Sequence, residues 1–261
     1  MNIANKTILV TGANRGIGRA LLEEALRRGA RKVYAGTRGV LQHSDKRVTP
    51  LTLDVTSASQ IQEAVKEVDM LDVLINNAGV AIYDDLGNLE VLEQTFAVNF
   101  FGLLRVTNAF LPLLKRSKGA ILNNLSMAGI APLPIIPSYS ISKAAALNLT
   151  QSLRALLASQ GVTVHAAVLG PVDTDMNRGF EIPKAAPETA AAGIFDGLEK
   201  GEEEIFPDPA SHSIAEGWRN GVSKALEREF KAFVPGTAAK ITQANVIRKD
   251  HLCKALNTRA S

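Results

Sequence analysis

The order of apolar and polar positions along the chain predicts strands and helices in alternation. Short apolar runs rich in β-branched residues are typical of buried strands, and apolar residues that recur at helical spacing indicate the helices between them. The predicted strands lie near residues 6–11, 32–36, 49–54, 71–76, 119–125, 162–168 and 203–206. The predicted helices lie near residues 16–28, 57–67, 90–115, 138–159, 187–199 and 211–232. This alternation favours an α/β fold with a doubly wound parallel sheet of seven strands and helices on both faces.

Length and composition predict one main domain. A chain of 261 residues with 46% apolar content buries a sizeable core. We assign residues 1–236 to that domain and residues 237–261 to a basic C-terminal tail of unknown role. The net charge is only +3 and the basic residues are scattered, so no nucleic-acid partner is expected.

Cysteine content and hydropathy bear on the compartment. The chain has one cysteine, Cys253, which excludes an internal disulfide and fits a reducing environment. No signal-peptide core precedes the first strand, and polar residues and prolines interrupt the apolar stretch 120–136. We therefore expect a cytoplasmic protein with no membrane partner.

A glycine-rich turn separates the first predicted strand from the first predicted helix. Its glycines are Gly12, Gly16 and Gly18, and their spacing departs from the general Gly-x-Gly-x-x-Gly fingerprint. In this position glycines permit a tight turn and a close approach of the backbone to a pyrophosphate, whose charge the helix N-terminus stabilises. The turn therefore indicates a dinucleotide site.

A tyrosine and a lysine lie four residues apart in a later predicted helix. Tyr139 and Lys143 share a helix face, and a nearby ammonium is expected to lower the pKa of the phenol from about 10. Tyr139 thereby becomes a candidate general acid or base. By itself the pair is more typical of an amphipathic helix with a tyrosine on its buried edge, so the hypothesis depends on its companions.

Those companions lie at the carboxyl ends of predicted strands, where a doubly wound sheet binds its ligands. Thr11, Asp54, Asn77 and Ser126 each follow an apolar run. Asn76-Asn77-Ala78-Gly79 and the segment Val98-Asn99-Phe100-Phe101-Gly102 complete the pattern. In order and spacing these motifs resemble the short-chain dehydrogenase/reductases over roughly residues 5–235, which implies a Rossmann-type sheet. Leu169 departs from the pattern, because the family has proline there.

The resemblance implies a catalytic set of Asn99, Ser126, Tyr139 and Lys143. In that family the serine binds the substrate carbonyl oxygen, the tyrosine exchanges a proton with it, and the asparagine holds a water that links the lysine to solvent. The lysine also contacts the nicotinamide ribose. The implied cofactor-binding residues are Gly12, Asn14, Arg15, Gly16, Ile17, Gly18, Arg38, Asp54, Val55, Asn77, Ala78, Gly79, Tyr139, Lys143, Val172 and Thr174.

The end of the second strand predicts the choice of cofactor. An NAD-preferring site places an acidic residue about 20 residues after the glycine turn, whereas no Asp or Glu precedes Asp45 here. Arg38 offers a planar cation suited to a 2′-phosphate, and Arg15 lies in the turn itself. Either arginine alone is equally typical of a surface charge. The pair resembles NADP-preferring members of the family, and we expect NADP(H).

The substrate residues are predicted from two loops. The resemblance implies a lid near 175–183 that contributes Met176 and Phe180, and the loop after Ser126 adds Met127 and Ala128. These apolar side chains favour a hydrophobic ketone, aldehyde or alcohol, although several of them would equally serve to pack the lid. The histidines have no metal-ligand spacing, and no metal is expected.

The sequence thus predicts an NADPH-dependent oxidoreductase that interconverts a hydrophobic carbonyl compound and its alcohol. The alternative is a catalytically silent NADP-binding regulator of the same fold, because fold does not guarantee chemistry. The complete catalytic set favours the enzyme. The resemblance also implies a homodimer or homotetramer formed through the helices near 90–115 and 138–159.

Overall fold

Seven parallel strands form one sheet in the computed structural model, which describes residues 1–234. The strands are β1 (Thr7–Thr11), β2 (Lys32–Thr37), β3 (Val48–Thr52), β4 (Val73–Asn76), β5 (Ala120–Ser126), β6 (Thr163–Leu169) and β7 (Glu204–Ile205). Their order across the sheet is β3-β2-β1-β4-β5-β6-β7. From β1 the chain first adds strands toward one edge of the sheet (β2, β3) and then toward the other (β4 to β7). This confirms the predicted doubly wound sheet.

Helices cover both faces of the sheet. They are α1 (Gly16–Arg27), α2 (Ala58–Glu67), α3 (Leu89–Phe96), α4 (Leu103–Ser117), α5 (Pro137–Leu157), α6 (Pro187–Lys200), α7 (Pro209–His212), α8 (Ala215–Arg219) and α9 (Val222–Phe230). Buried side chains of α1 and α6 form one apolar core with the sheet. Those of α2, α4 and α5 form a second core on the opposite face. Because both faces are covered, the central strands are apolar on both sides.

The predicted helix 90–115 is correct in extent but irregular in the middle. A π-helical segment, Ala97–Gly102, separates α3 from α4. A π-helical segment is defined by its backbone hydrogen bonds, which the order of apolar and polar residues does not specify. The segment includes Asn99, so its geometry bears on the site.

The stretch Leu89–Ser117 is also long and apolar enough, by length and composition, to cross a membrane. Its most apolar window has a mean hydropathy of 1.4, and 44% of that window is buried inside the protein. The core helix of a soluble protein passes the same test, so this is weak evidence for a membrane span. That the protein has no membrane partner stays a prediction.

The prediction of one helix over 211–232 is wrong. The chain forms α7, α8 and α9 instead, and Gly221 lies in extended conformation immediately before α9. The contacts divide the chain into a unit Met1–Arg219, which contains the sheet, and a unit Asn220–Ser261, whose described part contains α9. The predicted tail 237–261 lies outside the described residues.

Candidate active site

The glycine turn begins where β1 ends. Gly12 has φ +67°, in the left-handed region that favours glycine. Gly18, in the first turn of α1, lies so close to the turn that a Cβ there would be 2.0 Å from the carbonyl oxygen of Gly12. Glycine at position 18 therefore allows α1 to pack directly against the turn, and Gly12, Gly16 and Gly18 all line the cavity described below. A helix N-terminus that follows such a turn is suited to binding a phosphate.

The end of β4 is hydrogen-bonded to this turn. The Thr11 hydroxyl oxygen accepts from the backbone N–H groups of Asn77 at 2.9 Å and Ala78 at 3.0 Å. The Asn77 side-chain amide donates to the carbonyl oxygen of Thr11 at 2.9 Å. Asn77 thus supports the cradle directly. Its neighbour Asn76 is buried and donates to the hydroxyl of Thr107 at 3.0 Å, consistent with a structural role.

Asn99 connects the loop after β4 to helix α5. Its side-chain oxygen accepts from the Val80 N–H at 2.9 Å, and its amide donates to the Val80 carbonyl oxygen and to the Ser142 hydroxyl, each at 2.9 Å. The side chain is 1% exposed and does not line the cavity described below. In this structure Asn99 holds the surrounding elements together.

Ser126, Tyr139 and Lys143 converge from β5 and α5. Ser126 is the last residue of β5, and its hydroxyl accepts from the Ala128 N–H at 3.1 Å. Lys143 donates through Nζ to the carbonyl oxygen of Asn124 at 2.8 Å, and this Nζ lies 5.6 Å from the centre of the Tyr139 ring. The helical spacing therefore places the ammonium beside the phenol, as expected.

The electrostatic consequence differs from the prediction. Burial raises the pKa of the Tyr139 phenol, and a hydrogen bond with Ser126 opposes this rise without cancelling it. Burial lowers the pKa of Lys143 to about 8. The expected lowering of the Tyr139 pKa by Lys143 is thus not found, because removal of the phenol from water is the largest influence on its pKa and the hydrogen bond with Ser126 only partly offsets it.

Two charged residues line the end of the cavity near β2 and β3. The Arg38 guanidinium is exposed and forms no ion pair within residues 1–234. Burial alone would raise the pKa of Asp54. Hydrogen bonds from Thr56 and the nearby charge of Arg38 together lower it by more, so the net shift of the pKa is downward. The Asp54 carboxylate accepts from the Thr56 N–H at 2.8 Å.

Arg15 lies in the turn, as predicted, but it has a partner. Its guanidinium forms an ion pair of 3.2 Å with Asp175, which follows β6 and also pairs with Arg178. Both side chains of the Arg15–Asp175 pair are largely exposed, so the pair contributes little to stability. Its effect is to connect the glycine turn to the segment after β6.

One cavity of about 1060 Å³ collects these groups. All the predicted site residues except Asn99 line it: Gly12, Asn14, Arg15, Gly16, Ile17, Gly18, Arg38, Asp54, Val55, Asn77, Ala78, Gly79, Ser126, Met127, Ala128, Tyr139, Lys143, Val172, Thr174, Met176 and Phe180. The sequence reasoning missed the loop after β4, which contributes Val80, Ala81, Ile82 and Tyr83. That loop has no periodic pattern, and only its position after a strand end signals a site.

Comparison with known proteins decides the family. The model of the short chain dehydrogenase family matches residues 6–184. The chain belongs to this family.

Several relatives in the family have names that specify a reaction. Estradiol 17-beta-dehydrogenase 2 of Mus musculus is 33% identical over 215 residues, which are 76% of this chain and 53% of the relative. The 17-beta-hydroxysteroid dehydrogenase type 2 of Homo sapiens is 35% identical over 255 residues, 91% of this chain and 61% of the relative. The chain thus spans little more than half the length of these curated relatives.

A solved member of the family has a similar structure throughout. A short chain dehydrogenase from Burkholderia cenocepacia J2315, crystallised in complex with NADP, has a TM-score of 0.80 and 38% identity. The match covers 88% of this chain and 98% of that one.

The one departure from the family pattern has a local explanation. Leu169 ends β6 with its side chain buried in the core, and the N–H of Gly170 donates to the buried carboxylate of Asp208 at 2.8 Å. A Cβ at Gly170 would lie 2.6 Å from that carboxylate. The path after β6 is therefore held by Asp208 and does not require proline.

The segment after β6 is anchored at its base. Val172 pairs with Ala185 as an isolated β-bridge, and the Val172 carbonyl oxygen accepts from the side-chain amide of Asn177 at 2.8 Å. Residues 173–184 thus form a closed loop over the cavity, which we call the lid.

The residues present fit the cofactor that the family uses. A nicotinamide dinucleotide needs a turn without obstructing side chains for its pyrophosphate, and here Gly12, Gly16 and Gly18 line the cavity at the start of α1. It also needs groups at the ribose and nicotinamide, and Lys143 and Tyr139 lie at the opposite end of the same cavity. Within the described residues no cluster of three or more His, Cys, Asp or Glu side chains could hold a metal ion. The absence of a metal stays a prediction.

Proposed function

We propose that this protein is an NADPH-dependent oxidoreductase that interconverts a hydrophobic ketone or aldehyde and the corresponding alcohol, with Tyr139 as the general acid and base. One observation carries the proposal. Ser126, Tyr139 and Lys143 line the same cavity as the glycine turn, although they come from strand β5 and helix α5. A protein that only senses the cofactor has no need of a proton donor beside a second hydroxyl.

The side chains divide the chemistry between them. The bound cofactor supplies or accepts the hydride. Ser126 and Tyr139 present hydroxyl groups to the substrate oxygen, and such donors stabilise the charge that develops there in the transition state. Because burial raises its pKa, the Tyr139 phenol is protonated at neutral pH and has a proton to donate in the direction of reduction. Lys143 provides positive charge next to Tyr139 and a donor for the ribose.

Two observations support NADPH over NADH. The Arg38 guanidinium, which has no ion-pair partner among the described residues, lies at the cavity end near β2 and β3, where its planar donors match a 2′-phosphate. The Burkholderia cenocepacia relative was crystallised with NADP. Arg15 serves as the second cation, and to do so it exchanges its exposed ion pair with Asp175 for the phosphate.

The substrate is apolar. The loop after β5 and the lid contribute Met127, Ala128, Met176 and Phe180 to the cavity wall, with Leu133 and Ile136 nearby. A wall of this kind binds carbon skeletons by burial and orients them through a few polar groups, here Ser126 and Tyr139. The mouse relative is named for estradiol, which is itself an apolar alcohol.

We also propose that the protein acts in the cytoplasm as a homodimer or homotetramer formed through the helical stretch from α3 to α4 and through α5, as the family resemblance leads us to expect. Large apolar side chains are exposed on the π-helical segment and on α5, notably Phe101, Ile141 and Leu156. Exposed groups of this type favour self-association.

A substrate screen tests the main proposal. Purified protein is incubated with NADPH or NADH and a panel of apolar and polar ketones, and oxidation of the cofactor is followed by its absorbance. Faster oxidation of NADPH with apolar ketones is expected. If no ketone in the panel supports turnover while NADPH binds tightly, the proposed activity fails and the silent regulator is favoured. Equal use of NADH and NADPH contradicts the choice of cofactor.

A further inference from the structure

The loop after β4 contributes an aromatic wall to the cavity. Tyr83 is 62% exposed, yet its ring stacks on that of Phe180 in the lid, with ring centres 5.8 Å apart and planes 13° from parallel. Both rings line the cavity. The contact joins a loop at the end of β4 to a loop at the end of β6, two segments about a hundred residues apart in the sequence.

The two rings belong to segments that are held differently. Tyr83 lies between two anchored positions: the backbone of Val80 is bonded to Asn99, and Asp84 accepts hydrogen bonds from the N–H and hydroxyl of Ser138 at the start of α5. The Tyr83 loop is therefore attached to the catalytic helix. Phe180 lies within the lid, which is anchored at its base by Val172. Tyr83 is thus the fixed ring of the pair.

The surroundings of the pair are apolar and open. Met176, Ile182 and Leu133 also line the cavity, and each has more than two fifths of its surface exposed. A group of exposed apolar side chains at the mouth of a cavity is typical of a ligand-binding groove. A flat ring placed against Tyr83 gains an offset-stacked contact with a ring held in place, whereas a flexible chain gains only burial.

We propose that Tyr83 is a specificity-determining residue of this cavity, and that the Tyr83–Phe180 pair selects flat, apolar ring compounds over linear ones of similar carbon content. The inference rests on the proposed function, because it concerns the substrate end of the same site. It extends that function by naming the shape of the substrate and a residue outside the family's catalytic set.

The test compares two ketones of equal carbon number, the fused-ring β-tetralone and the linear methyl octyl ketone. Dissociation constants are measured by calorimetry in the presence of NADP⁺, which cannot donate a hydride, so that binding is read without turnover. Tyr83→Ala is expected to weaken the binding of β-tetralone by about threefold to tenfold, the range of a stacked aromatic pair, and that of the linear ketone by less than about twofold.

Two variants control the comparison. Tyr83→Phe keeps the ring and is expected to retain the preference for β-tetralone, since the stacking and not the hydroxyl provides it. Leu86→Ala removes an exposed apolar side chain from the same loop at a position that does not line the cavity, and it is expected to change neither constant. Melting temperatures of all variants verify that they remain folded.

The possible outcomes distinguish a failure of the Tyr83 inference from a failure of the proposed oxidoreductase activity. The inference is overturned, whatever the activity, if Tyr83→Ala weakens the binding of both ketones equally or of neither. It is also overturned if the wild-type protein does not bind β-tetralone more tightly than the linear ketone. If the preference depends on Tyr83 but no ketone supports NADPH oxidation, the inference stands and the proposed function fails.

Discussion

The reactivity of Tyr139 depends on a small number of neighbouring atoms. The phenol is partly buried in the cavity wall, it is hydrogen-bonded with the Ser126 hydroxyl, and the Lys143 ammonium lies 5.6 Å from its ring centre. Lys143 in turn donates a hydrogen bond to the carbonyl oxygen of Asn124. Each of these groups has a distinct consequence when it is removed.

Removal of the Tyr139 hydroxyl tests the proton donor. Tyr139→Phe is expected to keep the fold and most of the NADPH affinity while turnover falls by roughly 10²- to 10⁴-fold, the usual contribution of a general acid. Steady-state rates with the best ketone measure this. Tyr34→Phe is the matched control, because it deletes a phenol hydroxyl that bonds only to the backbone oxygen of Glu67, away from the cavity. Near-normal turnover of Tyr139→Phe would contradict the role of Tyr139 as the general acid.

The lowered pKa of Lys143 predicts a pH dependence of cofactor binding. With a pKa of about 8, the ammonium is charged below that pH and loses its charge above it. The dissociation constant of NADPH is therefore expected to rise above about pH 8, by at most about tenfold per pH unit. Fluorescence titrations with NADPH at a series of pH values from about 6 to about 10 measure the dissociation constant as a function of pH. Lys143→Met is expected to give weaker binding and a flat profile; a flat profile in the wild-type protein contradicts the assignment.

The position of the Arg38 guanidinium in the cavity predicts that its replacement changes which cofactor the protein prefers. Arg38→Asp is expected to weaken NADPH binding at least about tenfold, because a charge-assisted hydrogen bond contributes about 1.5–3 kcal/mol, and to raise the relative use of NADH. Arg116→Asp makes the same change of charge on α4, outside the cavity, and serves as the control. An unchanged ratio of NADPH to NADH affinity in Arg38→Asp overturns the reading.

At the scale of elements, the site is built where strands end and helices begin. The turn between β1 and α1 depends on close packing of its own backbone, and the loop after β4 depends on Asn99 in the π-helical segment. The irregular backbone of that segment is typical of functional sites, and here it brings the Asn99 amide to both Val80 and Ser142.

The close approach in the glycine turn predicts a steric effect. Gly18→Ala places a Cβ 2.0 Å from the carbonyl oxygen of Gly12, so the turn has to move. Loss of stability of roughly 1–3 kcal/mol and loss of most NADPH binding are expected. Gly39→Ala is the control on the same side of the cavity, since a Cβ there meets nothing within 4 Å. Thermal unfolding and NADPH titration measure both effects; equal behaviour of the two variants contradicts the packing argument.

At the scale of the whole molecule, the proposed self-association is testable through its exposed apolar side chains. The double variant Phe101→Glu, Ile141→Glu is expected to sediment as a monomer of 27.8 kDa, whereas the wild-type protein sediments as a dimer or tetramer. Val40→Glu changes a residue that is 94% exposed on another part of the surface and is expected to leave the assembly unchanged. A monomeric wild-type protein disproves the proposal.

Local patterns in the sequence predicted the architecture well. The seven strands lie within a few residues of their expected positions, because buried parallel strands require apolar runs and the helices between them require an apolar stripe. The glycine turn, the strand-end residues and the Tyr139–Lys143 pair were also predicted, since each is defined by spacing within one segment. The break between α7, α8 and α9 was missed, because an apolar stripe continues across short turns that only the backbone reveals.

Tertiary structure decided what depends on segments far apart in the chain. Three contacts each join segments that are distant in the sequence: the stacking of Tyr83 on Phe180, the hydrogen bonds between Asn99 and Val80, and the hydrogen bond from Gly170 to Asp208. No local sequence pattern encodes such contacts. The same holds for electrostatics. The spacing of Tyr139 and Lys143 determined that they are neighbours, but their burial, which only the folded chain creates, raises the pKa of the phenol and lowers that of the ammonium.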